Sequence, residues 1–197
     1  MKLTIVSGSQ RANSQSLNVA YYLQTLADHH FDKVTVLDLH QLDLPFWNEG
    51  VWQGDEEWKP WEPIAQTLKQ SDAFIFITPE WHGMATPALK NFLMLATDEE
   101  LAHKAALLVG VSSTVNGVYP ISELRMTGNK NNHVCFLPDH LIFRHCDDAL
   151  ISEHECTDQN LHDRSEYTMA LLAAYANALA PVHRDMVNAG KPFRYGM

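Results

Sequence analysis

Apolar positions along the chain fall into two alternating patterns. Residues 3–7 are a short apolar run that stops at Gly8. Over 16–28, Val19, Tyr22, Leu23, Leu26 and Ala27 recur at the spacing of one helical stripe. Residues 34–37 predict a second strand, and 62–70 a short helix. Ala73-Phe74-Ile75-Phe76-Ile77 is apolar throughout and stops at Thr78-Pro79. A strand without polar alternation is covered on both faces, which suits the middle of a parallel sheet. Residues 86–96 predict a helix, 105–111 a strand and 118–127 a helix. A fifth strand falls within 133–145, broken by Pro138. The last helix covers about 161–180, with Tyr167, Ala170, Leu171, Ala174, Tyr175 and Ala178 on one stripe. From about 181 the tail is less defined.

Five strands separated by helices predict an α/β fold: a doubly wound five-stranded parallel sheet with helices on both faces. The length of 197 residues suits one domain spanning 1–197. In such sheets ligands bind beyond the carboxyl ends of the strands, which directs attention to the loops after Ser7, Ile77 and Val111. The stretch 45–61 reads as a long loop holding Trp47, Trp52, Trp58 and Trp61. Such a loop is a lid or subunit contact, or it tucks its tryptophans into a satellite core.

Composition narrows the class. Lys+Arg number 14 against 24 Asp+Glu, a net charge of -10. An acidic balance argues against a nucleic-acid binder or a surface drawn to anionic lipid. Cys135, Cys146 and Cys156 have no CxxC spacing, as expected of a reduced intracellular protein. No apolar run approaches a membrane span and the N-terminus lacks a signal-peptide pattern, so the expected location is cytoplasmic.

The first loop, residues 8–16, gathers Gly8, Ser9, Arg11, Ser14 and Ser16 at the start of the first helix. Helix N–H groups and dipole favour an anion there, and Arg11 adds a guanidinium fork suited to phosphate. The Walker A pattern fails at Asn13, and the GxGxxG dinucleotide fingerprint fails at Gln10. A serine alone would be read as a helix cap; the cluster points to phosphate. In the second loop, Thr78-Pro79-Glu80-Trp81-His82-Gly83, the proline and glycine set a close backbone approach and Trp81 offers a flat face. His82 is either a proton donor or a satisfied loop histidine, and Glu80 is a possible cap of the next turn.

These two loops resemble those of the NADPH-dependent FMN reductase family of flavodoxin-like flavoproteins. Its first loop, G-S-x-R-x-x-S-x-[NS], matches at Gly8, Ser9, Arg11, Ser14 and Ser16. Its second, P-E-[YW]-[HN]-x followed by L-K-N, matches Pro79-Glu80-Trp81-His82-Gly83 and Leu89-Lys90-Asn91. Asp43-Leu44-Pro45 fits as well. The match is dense over residues 3–95 and thin afterwards. The resemblance implies that Ser9, Arg11, Ser14, Gln15 and Ser16 hold the FMN phosphate. It implies that Pro79, Glu80, Trp81, His82 and Gly83 contact the isoalloxazine ring, with a third loop containing Ser112, Ser113 and Gly117 closing the other side. Family members often carry two glycines where Asn116-Gly117 stands, and a small residue where Pro87 stands.

The implied activity is oxidoreduction: NAD(P)H passes hydride to FMN, then a small acceptor (flavin, quinone, azo compound or metal oxyanion) takes the donor's place in a ping-pong scheme. His82 is the best candidate for a proton role. Residues 92–95, Phe-Leu-Met-Leu, are apolar all round the helix, which predicts a subunit interface in a homodimer or homotetramer, the alternative being cover from the tryptophan-rich loop. Three rival readings stand beside this one. A flavodoxin-type electron carrier suits the acidity, though not Arg11. A metal protein would use His145-Cys146 and His154-Glu155-Cys156, which lack zinc-site spacing. A non-catalytic FMN-binding regulatory protein is the third.

Overall fold

Apolar runs of five to seven residues fold as strands here because each is buried by helices on both sides of a sheet. The structure, a computed structural model, describes residues 1–152 and 155–190, the side chains of 149–152 excepted. Strands β1 (Lys2–Ser7), β2 (Lys33–Asp38), β3 (Ala73–Pro79), β4 (Ala105–Val111) and β5 (Cys135–Phe143) pair in parallel in the order β2-β1-β3-β4-β5. This is the flavodoxin-like order, with its reversal between β1 and β3. A short hairpin of β6 (Leu150–Ser152) and β7 (Glu155–Cys156) lies outside this sheet.

The helices in chain order are α1 (Gln15–Ala27), α2 (Leu39–Leu42), α3 (Gly50–Gln53), α4 (Trp61–Lys69), α5 (Pro87–Leu95), α6 (Asp98–Leu101), α7 (Tyr119–Thr127), α8 (Cys146–Ala149) and α9 (Gln159–Ala189). Strand side chains alternate between two cores. On one face Leu3, Ile5, Ile75, Leu107 and Val109 meet Val19 and Leu23 of α1 and Met169 and Leu172 of α9. On the other, Val6, Phe74, Phe76 and Leu108 meet Leu68 of α4, Leu89 and Phe92 of α5, and Leu124 of α7.

Four local expectations change. Pro138 does not break β5: Ala106 pairs with Phe136 and Leu108 with His140, so β5 bulges there. A bulge on an edge strand tolerates a proline because its missing N–H has no ladder to serve. The last helix does not stop near 180 but runs through Pro181 to Ala189. His183 Nδ1 donates to the Ala102 carbonyl at 2.8 Å and ties those last turns to the domain. Their side chains are mostly exposed, so no apolar stripe announces them. The tryptophan-rich stretch is not a loop throughout: it folds as α3, a 3-10 turn at Glu56–Trp58 and the start of α4. Asn48 Oδ1 accepts from Gly50 N and from Trp58 Nε1. Trp58 and Trp61 are buried, while Trp52 is 67% exposed and packs edge-on against Trp47. Finally, Phe92, Leu93 and Leu95 are covered within this chain, with Trp61 set edge-on against Phe92 at 5.5 Å. Met94 alone of that run is exposed, so the run does not by itself demand a second subunit.

At the opposite end of the sheet from the site loops, Lys104 is buried beneath two helix C-termini. Its ammonium donates to the carbonyls of Leu68, Lys69 and Glu100 at 3.0, 3.0 and 2.8 Å and lies 5.6 Å from the Phe74 ring centre. Burial pushes its pKa down to about 8. Lys104→Met leaves those three carbonyls without a donor, and urea unfolding is expected to show a loss of about 2–4 kcal/mol.

Candidate functional site

The three loops named from the sequence meet beyond the carboxyl ends of β1, β3 and β4. The first starts at Gly8, whose N–H donates to the Ile77 carbonyl at 2.8 Å and carries the β1–β3 ladder one residue past the strand. A Cβ on Gly8 would lie 2.4 Å from that same oxygen, so a glycine is required. Ser9 Oγ accepts from Arg11 N at 3.2 Å, and Asn13 turns the chain with φ of 49°. Ser14 caps α1, its Oγ accepting from Leu17 N at 3.2 Å. Gln15 and Ser16, whose N–H groups open α1, line the cleft. The buried Ser16 Oγ has no hydrogen-bond partner. The exposed Arg11 guanidinium engages no acceptor among the described residues.

The second loop is a tight hairpin. Trp81 and Met84 exchange both backbone hydrogen bonds, at 3.1 and 3.0 Å. Between them His82 and Gly83 sit at φ of 52° and 75°, the pair of left-handed residues of a type I′ turn. The loop is held at both ends. Thr86 Oγ1 donates to the Gly8 carbonyl and accepts from Leu89 N, capping α5. Ala85 N donates to Glu123 Oε2 of α7 at 2.7 Å, and Lys90 meets Glu123 Oε1 at 3.0 Å. Partial burial works against the Glu123 charge, but the Ala85 N–H and the Lys90 ammonium outweigh it and hold its carboxyl below the usual range.

Glu80 does not merely cap a turn. Its N–H donates to the Val111 carbonyl at 2.9 Å, and its carboxylate accepts from Gly117 N at 2.5 Å. It thus binds the second loop to the third. Gly117 has φ of 107°, and its carbonyl lies where a Cβ on Gly110 would come within 2.4 Å. These two glycines let the third loop lie flat against β4. Ser112 Oγ accepts from Thr114 N at 3.2 Å, its carbonyl accepts from Cys146 N, and the Thr114 carbonyl accepts from His145 N.

Between the loops lies a cleft of about 360 Å³. Nine of the residues singled out in the sequence line it: Ser9, Arg11, Ser14, Gln15, Ser16, Pro79, Glu80, Trp81 and Ser113. His82, Gly83, Ser112 and Gly117 do not; His82 is exposed at the hairpin tip, and the other three shape backbone. Asn13, Val111, Cys146 and Asp147 line it without having been singled out. Asp147 accepts from Gln15 Nε2 at 3.0 Å, closing the cleft from the β5 side. The rule that ligands lie beyond strand carboxyl ends, applied to the segment after β5, points to these last two. Burial, aided by the Asp147 charge, pushes the Cys146 thiol up to about 11, so at neutral pH it is a protonated, inert wall.

The profile of the NADPH-dependent FMN reductase family matches residues 1–148, a span that holds all three loops and Cys146–Asp147. The chain belongs to this family. Family membership makes it an oxidoreductase that works with FMN and NAD(P)H. An FMN-dependent NADPH-azoreductase of Staphylococcus saprophyticus is 30% identical over 135 residues, 64% of this chain and 68% of that protein. A quinone reductase of Pseudomonas putida is 29% identical over 89 residues, 45% of this chain and 46% of that protein. Among solved structures, FerB, a flavoenzyme NAD(P)H:(acceptor) oxidoreductase from Paracoccus denitrificans, superposes with a TM-score of 0.76 at 21% identity, covering 90% of this chain and 98% of that one. A flavodoxin from the domain Archaea superposes at 0.59 and 12% identity, covering 90% and 99%. Both share the flavodoxin-like fold. No group of three or more His, Cys, Asp or Glu among the described residues is placed to hold a metal; His154 lies outside them. No helix among them is long and apolar enough to cross a membrane.

Because Glu80 is the tie between the second and third loops, Glu80→Ala leaves the Gly117 N–H without its acceptor. Thermal or urea unfolding is expected to show a loss of about 1–2 kcal/mol. Hydrogen exchange at Gly117 is expected to quicken more than exchange in β4.

Proposed function

We propose that the chain seats FMN in this cleft and passes reducing equivalents from NAD(P)H to small acceptors of the flavin, quinone, azo or metal-oxyanion class. One observation carries the reading: an unengaged Arg11 guanidinium, a buried Ser16 hydroxyl without a partner and the open first turn of α1 stand at one spot. A phosphate dianion answers all three, because it offers acceptors to each donor and complements both positive charges. The residues present therefore fit the group.

In this reading Ser9, Arg11, Ser14, Gln15 and Ser16 hold the phosphate. Pro79, Glu80 and Trp81 line the ring's side of the cleft, and Ser113 with the backbone to Gly117 closes it. Gly83, Ser112 and Gly117 serve by setting backbone shape. When bound, FMN would supply the two-electron chemistry between NAD(P)H and the acceptor. The chain contributes position, charge and access. Arg11 neutralises the phosphate. Glu80 keeps the two ring-facing loops at a fixed separation. Trp81 narrows the opening and so the acceptor set. His82 lies at the exposed hairpin tip outside the cleft lining, so in this reading it meets an acceptor only at the cleft's rim. Cys135, Cys146 and Cys156 are all unpaired, which suits a reducing, cytoplasmic setting.

We also assign a homodimer or homotetramer contact to the face joining α5 and α7. Lys90 and Glu123 pair across these helices, and one turn beyond them Met94 and Met126 are 57% and 76% exposed. Phe46, 77% exposed, is held to the same side where Asn91 bonds Trp47 N and the Pro45 carbonyl. Met126→Asp is expected to shift the light-scattering mass toward the monomer; an unchanged mass removes this face from the contact.

The function is tested by the absorbance spectrum of the purified protein loaded with FMN, before and after anaerobic NADPH. A flavin spectrum that bleaches is the expected result; bound flavin that NADPH leaves oxidised sinks the enzyme reading. Arg11→Ala is expected to weaken FMN retention by about tenfold to a hundredfold, with the circular dichroism unchanged. Equal retention would remove Arg11 from the phosphate seat.

A further inference from the structure

A second cleft, of about 560 Å³, opens along the free edge of β5 between that strand and the first turns of α9. Arg144, Arg164, His140, His145 and Asn160 line it. The chain carries 14 basic residues against 24 acidic ones, so two arginines on one concave surface run against the overall charge. Arg144 spends its Nε on the Val115 carbonyl at 2.6 Å, which leaves its terminal nitrogens for a ligand. Arg164 has a loose partner, Asp139 at 4.0 Å, and its side chain is 58% exposed. Buried His140 Nδ1 has no hydrogen-bond partner. Burial first, and then the charges of Arg125, Arg164 and Arg144, hold its pKa below the usual histidine value despite Asp139. Two further carboxylates line the cleft, Asp148 and Asp158; Asp158 is committed to capping α9 through Leu161 N.

The cleft adjoins the flavin site. Segment 144–148 is the wall between them: Cys146 and Asp147 face the flavin cleft, while Arg144, His145 and Asp148 face this one. Arg144 also grips the third loop, which borders the flavin cleft through Ser113. We propose that this second cleft receives the adenosine 2′-phosphate end of NADPH, with Arg164 and the terminal nitrogens of Arg144 on the phosphate. The proposal rests on the reading of NAD(P)H as donor. It makes Arg164 the residue that sets preference between NADPH and NADH. A guanidinium pair is suited to a phosphate monoester, which NADPH has here and NADH lacks.

The test uses the FMN-loaded protein. By calorimetry, 2′,5′-ADP is expected to bind about tenfold more tightly than 5′-ADP, with Arg164→Ala erasing the difference and Arg164→Lys restoring part of it. With a soluble quinone as acceptor, Arg164→Ala is expected to raise KM for NADPH about tenfold at unchanged kcat, and KM for NADH by less than about twofold. Equal binding of 2′,5′-ADP and 5′-ADP would overturn the proposal. So would an equal KM rise for both donors, or displacement of 2′,5′-ADP by added FMN, which would make the cleft a second flavin-phosphate seat. Should neither donor bleach the flavin, the oxidoreductase reading fails, while the 2′,5′-ADP preference and its loss in Arg164→Ala still decide the cleft.

Discussion

One peptide unit holds the site together. Gly8 sits where β1 ends and the chain must leave the sheet, between two loops that come from strands on the same edge. Its N–H reaches the Ile77 carbonyl and its own carbonyl receives the Thr86 hydroxyl. The first contact extends the β1–β3 ladder; the second fastens the start of α5 to the start of the first loop. Neither survives a side chain, because a Cβ there would press into the Ile77 oxygen. The position of α1, and so the direction in which its dipole points, follows from that close approach.

From Gly8 the order spreads by charge-assisted bonds between loops. Glu80 ties the second loop to the third, and Glu123 ties the far end of the second loop to α7. Each carboxylate accepts from a backbone N–H, an interaction stronger than a neutral hydrogen bond. Loops built this way are set before a ligand arrives, so binding spends little on ordering them. At the mouth of α1 the Ser16 hydroxyl stays without a partner and the Arg11 guanidinium without an acceptor among the described residues.

The segment after β5 adds a second layer of organisation. It turns at His145, with φ of 46°, and divides its residues between two clefts: Arg144, His145 and Asp148 line one, Cys146 and Asp147 the other. Cys146 and Asp147 finish the cleft between the three loops, and Arg144 and Asp148 open the one beside β5. An acidic chain thus sets arginines in two concave sites, each beside carboxylates: Arg11 with Glu80 and Asp147 in one, Arg144 and Arg164 with Asp148 and Asp158 in the other.

The strands, the parallel order of their crossovers and the first loop as part of a site were legible in the residues themselves, because period and turn chemistry are local. Ala73–Ile77 reads as a central strand for the reason that it is one: six residues of β3 are buried on both faces. Ser9, Arg11, Ser14 and Ser16, clustered in the first loop and the start of α1, pointed to the cleft they line; Gln15 entered only through the resemblance. Tertiary structure alone decided the rest. Glu80 bonds a residue 37 positions away, and Gln15 bonds one 132 positions away, distances no periodicity reports. The extension of α9 past Pro181 depends on His183 finding a carbonyl on the far side of the domain. Cover for Phe92 comes from Trp61, which the sequence pattern placed in a loop. Local pattern fixes which residues can face a ligand; long-range contacts choose which of them do.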